Sequence, residues 1–320
     1  MAEQHYTTID CMRMVMAVLV IGIHTEPFGF NIWLDRGFGI LTRVCVPFFF
    51  VTGAYFYWLK EKGAISYIKR LLRLYAVWSL IYLPFDIKEL SRLSFVKILY
   101  RFFWAGNEHA LWYLWGSIVG FIITYLLLKV FRPKTVMIIA AVFLVAGCAK
   151  STWSPLVEHL FSVRISDWLG SRNGLFYAFP YTALGMIISK SSGRGKEKSL
   201  SYIMAGLALS LTALLFESFI FVLYFHTNST ILWLSVFPYA YFVFLLCINT
   251  SIHVHKSKAL FLRRLSMLTY AGQFLFIPYF TRYMSTYALF AVVSISTCMF
   301  GCIVLYLSRI RFLGWLKCLY

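Results

Sequence analysis

Acidic residues are scarce in this chain. Only 12 Asp and Glu stand against 30 Lys and Arg, and charged residues of both signs make up 13% of the 320. Soluble domains carry about 25% charge and about 45–50% apolar residues, so a chain that is 61% hydrophobic is excluded from that class. The sequence also lacks any CxxC pair. Its 7 cysteines (Cys11, Cys45, Cys148, Cys247, Cys298, Cys302 and Cys318) are scattered mostly through apolar stretches, which excludes a disulfide framework and metal-ligand spacing and leaves them as small packing residues. No HExxH, nucleophile elbow or glycine-rich phosphate loop is present. No metal and no permanently bound cofactor are expected. The formal charge of +18 would suggest nucleic acid in a soluble protein, but here the bases collect in short loops between apolar runs. That is the pattern of orientation signals beside anionic lipid headgroups, so the expected partner is the bilayer and not a nucleic acid.

What is present is a series of apolar runs. A helix needs about 20 apolar residues, or about 17 at the short end, to cross the hydrocarbon. On that rule the sequence predicts an all-α integral membrane protein of about ten transmembrane helices, near 11–28, 40–59, 71–86, 110–130, 134–149, 174–189, 199–225, 231–250, 265–284 and 286–307. The charged segment 259–265 falls outside them. Ten spans place both termini on one side. With the termini cytoplasmic, the inner segments hold roughly twenty Lys and Arg against roughly ten outside, the expected inside bias. The first run leads into His24-Thr25-Glu26-Pro27 and is followed by further spans, so a cleaved leader is not expected. Residues 1–320 read as a single membrane domain without an inverted repeat, expected in a cell (plasma) membrane. Serines within the spans are expected to bond neighbouring helices.

Within the first run, Arg13 and His24 are eleven residues apart. At 100° and about 1.5 Å per residue, His24 returns to within about 20° of Arg13's direction and lies roughly 16 Å further along the helix. Ionisable groups at such depth usually face a protein interior or a wet cavity. A histidine there can serve as a general base or as a hydrogen-bonded core residue. Glu26 can orient that imidazole or sit as an acid at the mouth of a pocket. Arg70 and Arg73 share a helical face at i, i+3, and two adjacent guanidiniums suit a phosphate group; inner-loop orientation signals are the plainer alternative. Glu108 and His109 precede an aromatic entry at Trp112-Tyr113, either as interfacial polar groups or as a binding site. Arg172 and Asn173 open the sixth run, where they can hold an acceptor sugar or anion, or cap a helix.

Four separated motifs then resemble one family in order and spacing: Ile9-Asp10 with Arg13 and His24, Val46 to Gly53, Arg70-Leu-Leu-Arg73, and Leu111-Trp112-Tyr113-Leu114. The chain resembles the membrane-bound acyltransferase 3 family over essentially its whole length. Ser171 to Phe176, with Pro180 and Leu184-Gly185, is most similar to the membrane half of vancomycin-resistance serine racemases. In those proteins a pyridoxal-phosphate domain follows the last span, and the residues after Arg309 are too few for one, so racemase activity is not implied. The resemblance implies a ten-helix enzyme that moves an acyl group, usually acetyl, from cytoplasmic acyl-CoA as co-substrate to a hydroxyl of an extracytoplasmic glycan or lipid-linked sugar. It also implies a bacterial inner-membrane setting. Arg13 and His24 match its arginine–histidine motif, and Arg70 and Arg73 its paired arginines. One departure is visible. Where the family often has Ser-x-x-x-Tyr-x-x-His, this chain has Ser266, Tyr270 and Gln273, and glutamine cannot titrate. The rival reading is uptake of a serine-like amino acid, and a non-catalytic scaffold is a third. Neither the acceptor nor the oligomeric state is legible in the sequence.

Overall fold

The computed structural model describes residues 7–59, 63–106, 109–162, 170–192, 198–227 and 231–320, and among them every regular element is helical. The chain runs through α1 (Thr7–Thr25), α2 (Ile32–Leu41), α3 (Cys45–Leu59), α4 (Ala64–Leu90) and α5 (Phe95–Phe103). It continues with α6 (Trp112–Val130), α7 (Pro133–Lys150), α8 (Ser154–Phe161), α9 (Phe179–Ser192) and α10 (Leu200–Phe219). The last elements are α11 (Val236–Asn249), α12 (Lys256–Gly272), α13 (Ile277–Phe280), α14 (Thr286–Leu307) and a 3-10 tail at Arg311–Leu319. Five-residue π turns at Gly174–Ala178 and Ile220–Tyr224 join α9 and α10 at one end.

Among the described residues, six stretches are long and apolar enough to cross a membrane: Thr7–Thr25, Ile32–Trp58, Trp112–Val130, Pro133–Lys150, Leu200–Tyr224 and Thr286–Leu307. The sequence reading anticipated ten, and the other four have local reasons for differing. Segment 71–86 lies inside the 27-residue α4, which also carries Lys69, Arg70, Arg73, Lys88 and Glu89. Segment 174–189 is helical but begins in the π turn. Segment 231–250 yields only the 14-residue α11. Segment 265–284 breaks into a 3-10 turn at Gln273–Leu275. Pro278 accounts for that break, because a proline within a helix removes one amide donor and its ring collides with the carbonyl four residues back, here that of Phe274.

The bundle is organised around α1, which packs against α3, α11, α12 and α14. Its first turn is pinned across the fold. Thr7 Oγ1 donates to the Ile252 carbonyl at 2.5 Å and Thr8 Oγ1 to that of Thr250 at 2.7 Å. Buried hydroxyls elsewhere mostly donate back to their own helix, as Thr25 does to the Ile21 carbonyl, Ser117 to Tyr113, Thr124 to Gly120 and Thr297 to Val293. This corrects the expectation of helix-to-helix bonding. The nearest carbonyl with a spare lone pair is one turn back on the same helix; the Thr124–Thr182 pair at 3.1 Å, between α6 and α9, is a true bridge. Glu217, buried in α10, accepts from Trp153 Nε1 at 2.8 Å, Leu234 N at 3.0 Å and Ser235 N at 2.8 Å. It thereby satisfies amides at the start of α11 that no intrahelical carbonyl can reach. Large apolar side chains such as Leu80, Val130, Ile138 and Leu209 lie exposed on the outer faces, as a lipid-facing surface requires.

The interface between α3 and α9 depends on Gly185, because a Cβ there would collide with the Val51 carbonyl oxygen. Small residues let two backbones approach where lipid supplies no hydrophobic drive. Gly185→Ala should lower stability by about 1–3 kcal/mol, the usual cost of overpacking. By contrast, Gly37→Ala, at a position with no neighbour within 4 Å, should change little. Thermal unfolding in detergent tests this, and equal midpoints for the two variants would contradict it.

Candidate functional site

Two levels of α1 carry the charged motif. At the first, Arg13 lies 3.3 Å from Asp10 Oδ1 and its guanidinium sits 5.3 Å from the centre of the Phe56 ring. Tyr67 and Tyr113 are within electrostatic range of both Arg13 and Arg70. Arg70 and Arg73 are exposed on α4, one turn apart and without an ion pair among the described residues. They offer donors to solvent at this end of the bundle.

At the second level, His24 lines a cavity of about 470 Å³. The structure brings His24 together there with His109, Trp112, Arg172 and Asn173, all singled out from sequence. Phe274 completes that wall. Its ring stands edge-on to both imidazoles, 4.9 Å from His24 and 5.5 Å from His109 between centroids. Phe274 reaches this place because the helix breaks at Gln273–Leu275. Gln273 is fully buried, donates from Nε2 to the Tyr270 carbonyl at 2.8 Å, and leaves Oε1 without a partner. Arg172 and Arg43 both lie within electrostatic range of His24.

Glu26 goes elsewhere. Pro27 cannot continue α1, and Glu26 takes a left-handed φ of 47°, its amide donating to the Gly22 carbonyl at 3.0 Å. This C-terminal turn leaves Glu26 exposed and on the wall of a separate cavity of about 260 Å³, with Asp35, Arg36 and Arg43. Glu26 and His24 thus line different cavities. Glu108 lies outside the described residues.

His109 is held by a network that sequence reasoning missed. Its Nε2 lies 2.7 Å from Asp86 Oδ1. The same oxygen pairs with Arg101 at 3.1 Å, and Arg101 reaches Glu89 at 3.0 Å. An ionised carboxylate only accepts, so Nε2 is the donor of this pair. The ring stacks on Tyr82 at 4.7 Å and 21°. His109 and Ala110 both have left-handed φ, 57° and 63°, a conformation that costs non-glycine residues energy and persists where surroundings fix it. Here Asp86 fixes the side chain and Tyr270 OH bonds the Ala110 carbonyl at 3.0 Å. The available signal was the i, i+3 pair Asp86 and Glu89 at the end of α4, with one arginine on the strongly amphipathic α5.

On the opposite wall Asn173 caps the sixth run. Its Oδ1 accepts from Leu175 N and Phe176 N, each at 2.9 Å, and its Nδ2 donates to the Gly170 carbonyl at 2.8 Å. That is the capping alternative of the sequence reading. Arg172 instead lies exposed over Trp112, 5.6 Å from the ring centre. Among the described residues no group of three or more His, Cys, Asp or Glu comes together as a metal site. The cavity sets two imidazoles and a guanidinium among the aromatic side chains of Tyr100, Trp104, Trp112 and Phe274.

The chain is 29% identical over 236 residues to an amino-acid racemase of Enterococcus faecalis, covering 65% of this chain and 32% of the relative. It is likewise 29% identical over 234 residues to a serine/alanine racemase of Enterococcus gallinarum, covering 66% and 32%. The chain thus spans about a third of the length of these curated relatives. No solved structure matches it. Residues 6–307 match the acyltransferase domain model, and with nearly the whole chain inside that match, the protein belongs to the acyltransferase 3 family of multi-pass membrane proteins.

Proposed function

We propose that the protein transfers an acyl group, acetyl in the simplest case, from cytoplasmic acyl-CoA to a hydroxyl of an extracytoplasmic glycan or lipid-linked sugar. The observation that carries this reading is the placement of Arg13 and His24 on one interior helix, with His24 opening into the cavity shared by His109, Trp112 and Arg172. Acyl-CoA docks at the other end, its phosphates on the exposed Arg70 and Arg73, and its thioester extends along the stripe from Arg13. The acceptor enters the cavity, where the aromatic faces of Trp112 and Phe274 suit a sugar ring. His24, as neutral imidazole, accepts the proton of the acceptor hydroxyl as its oxygen attacks the thioester carbonyl. The C–S bond breaks, the new C–O bond completes the ester, and the proton passes from His24 to the departing CoA sulfur. His109, oriented by Asp86, presents Nδ1 as a hydrogen-bond acceptor for a second hydroxyl of the sugar.

Uptake of a serine-like amino acid is the second reading, favoured by the names of the racemase relatives. It leaves the paired arginines of α4 without a role in moving a neutral zwitterion. Both readings use the same topology, which we take to be ten crossings of a bacterial plasma (inner) membrane with both termini cytoplasmic. The four remaining segments then complete crossings inside the bundle.

Two outcomes follow. General-base catalysis contributes about 10²–10⁴-fold, so His24→Gln should lower turnover of acetyl-CoA by that order while acyl-CoA binding persists. Glutamine keeps hydrogen-bonding capacity and removes only titration; near-wild-type turnover would take His24 out of the mechanism. For topology, cysteines placed at Gly195 and Leu160 in a cysteine-free background should react with impermeant reagent from the inside and the outside respectively. The reverse pattern would invert the orientation.

A further inference from the structure

The charge of the cavity beside His24 selects a class of acceptor, an inference that rests on reading this cavity as the acceptor site. No described residue lining it is acidic. Asp86, bonded to His109, is already shared with Arg101. On the cationic side, Arg172 lines the cavity and Arg43 stands within electrostatic range of both His24 and Arg172. Two guanidiniums around one imidazole repel a cation and attract an anion.

A second feature points the same way. Ser171, Arg172 and Asn173 lead into the continuous helical stretch from Gly174 to Ser192, whose N-terminal end presents positive potential to the cavity. Asn173 caps it, whereas the hydroxyl of Ser171, 1% exposed on the same wall, has no hydrogen-bond partner among the described residues. A buried hydroxyl without a partner is costly, and the cost is relieved by a ligand oxygen. Tyr100, Trp104, Trp112 and Phe274 supply apolar walls for the faces of a sugar ring.

We infer that the acceptor is a saccharide bearing a carboxylate or a phosphate, held by Arg172 and the Ser171 hydroxyl so that a free hydroxyl meets His24. An anion at the start of that helix gains a forked donor from Arg172 together with the helix field.

Titration of the full chain in neutral phosphatidylcholine nanodiscs with glucuronate, glucose 1-phosphate and methyl glucoside tests this directly. At least one anionic sugar should bind about tenfold or more tightly than methyl glucoside, the scale of a charge-assisted contact, and the better of the two identifies the anion. Arg172→Gln should abolish the preference, Arg172→Lys should keep part of it, and Ser171→Ala should weaken it severalfold. The preference should survive Arg70→Ala/Arg73→Ala, which places it in this cavity and not on the arginine pair. Equal binding of charged and neutral sugars would overturn the inference, as would a preference that persists in Arg172→Gln and disappears in the double variant. Acetyl transfer with no anion preference would sink this inference alone. Anion preference without acetyl transfer would instead count against the acyl-transfer reading.

Discussion

A carboxylate buried in an apolar bundle has to find donors, and in a chain with few acids each one that goes inside organises its surroundings. Leaving a buried charge without its partner costs about 3–5 kcal/mol, a large fraction of a typical domain's stability. Asp10 therefore fixes Arg13 on α1. Asp86 gathers Arg101 and His109 from α5 and the approach to α6. Glu217 draws Trp153 and the start of α11 onto α10. The last two of these tie one element to another. Two of them set the geometry of the candidate site: Asp10 places a guanidinium at one level of α1, and Asp86 turns His109 toward the cavity at the other.

Between those levels the interior is aromatic. Tyr113 packs at tilted or edge-on angles against Phe49, Phe50 and Tyr270, with ring centroids 4.9–5.8 Å apart. Tyr270 in turn ties the strained Ala110 backbone into place. The cluster separates the Arg13 end of the bundle from the His24 cavity while keeping a phenol within electrostatic range of Arg13 and Arg70. Side chains of α3, α6 and α12, and not loops, form this cluster. Rigid elements hold reacting groups more tightly than loops do.

Much of this was legible from sequence, for identifiable reasons. Helical periodicity put Arg13 and His24 on one face, and α1 is a helix over Thr7–Thr25. Aromatic and polar residues flanking apolar runs marked His109, Trp112, Arg172 and Asn173, which the fold gathers at one cavity. What could not be read depends on contacts distant in the chain or on single turns. Asp86 and His109 are far apart in sequence, and no local pattern announces that α4 and α6 face each other there. Glu26 sits two residues from His24, yet one left-handed φ sends it to another cavity. Four apolar runs looked alike by composition, but a proline at 278, a π turn and embedded charge make their helices short, broken or partly polar.

The central claim is a division of labour, with donor phosphates at the α4 arginines and acyl acceptance at His24, and vesicle chemistry addresses it most directly. Inverted membrane vesicles containing the protein expose Arg70 and Arg73 to added acetyl-labelled acetyl-CoA. The account predicts label incorporated into glycan on the luminal side, and its loss by about tenfold or more in Arg70→Ala/Arg73→Ala, the scale of hydrogen bonds to charged groups. Absence of acetyl incorporation, together with accumulation of labelled serine in right-side-out vesicles, would contradict it.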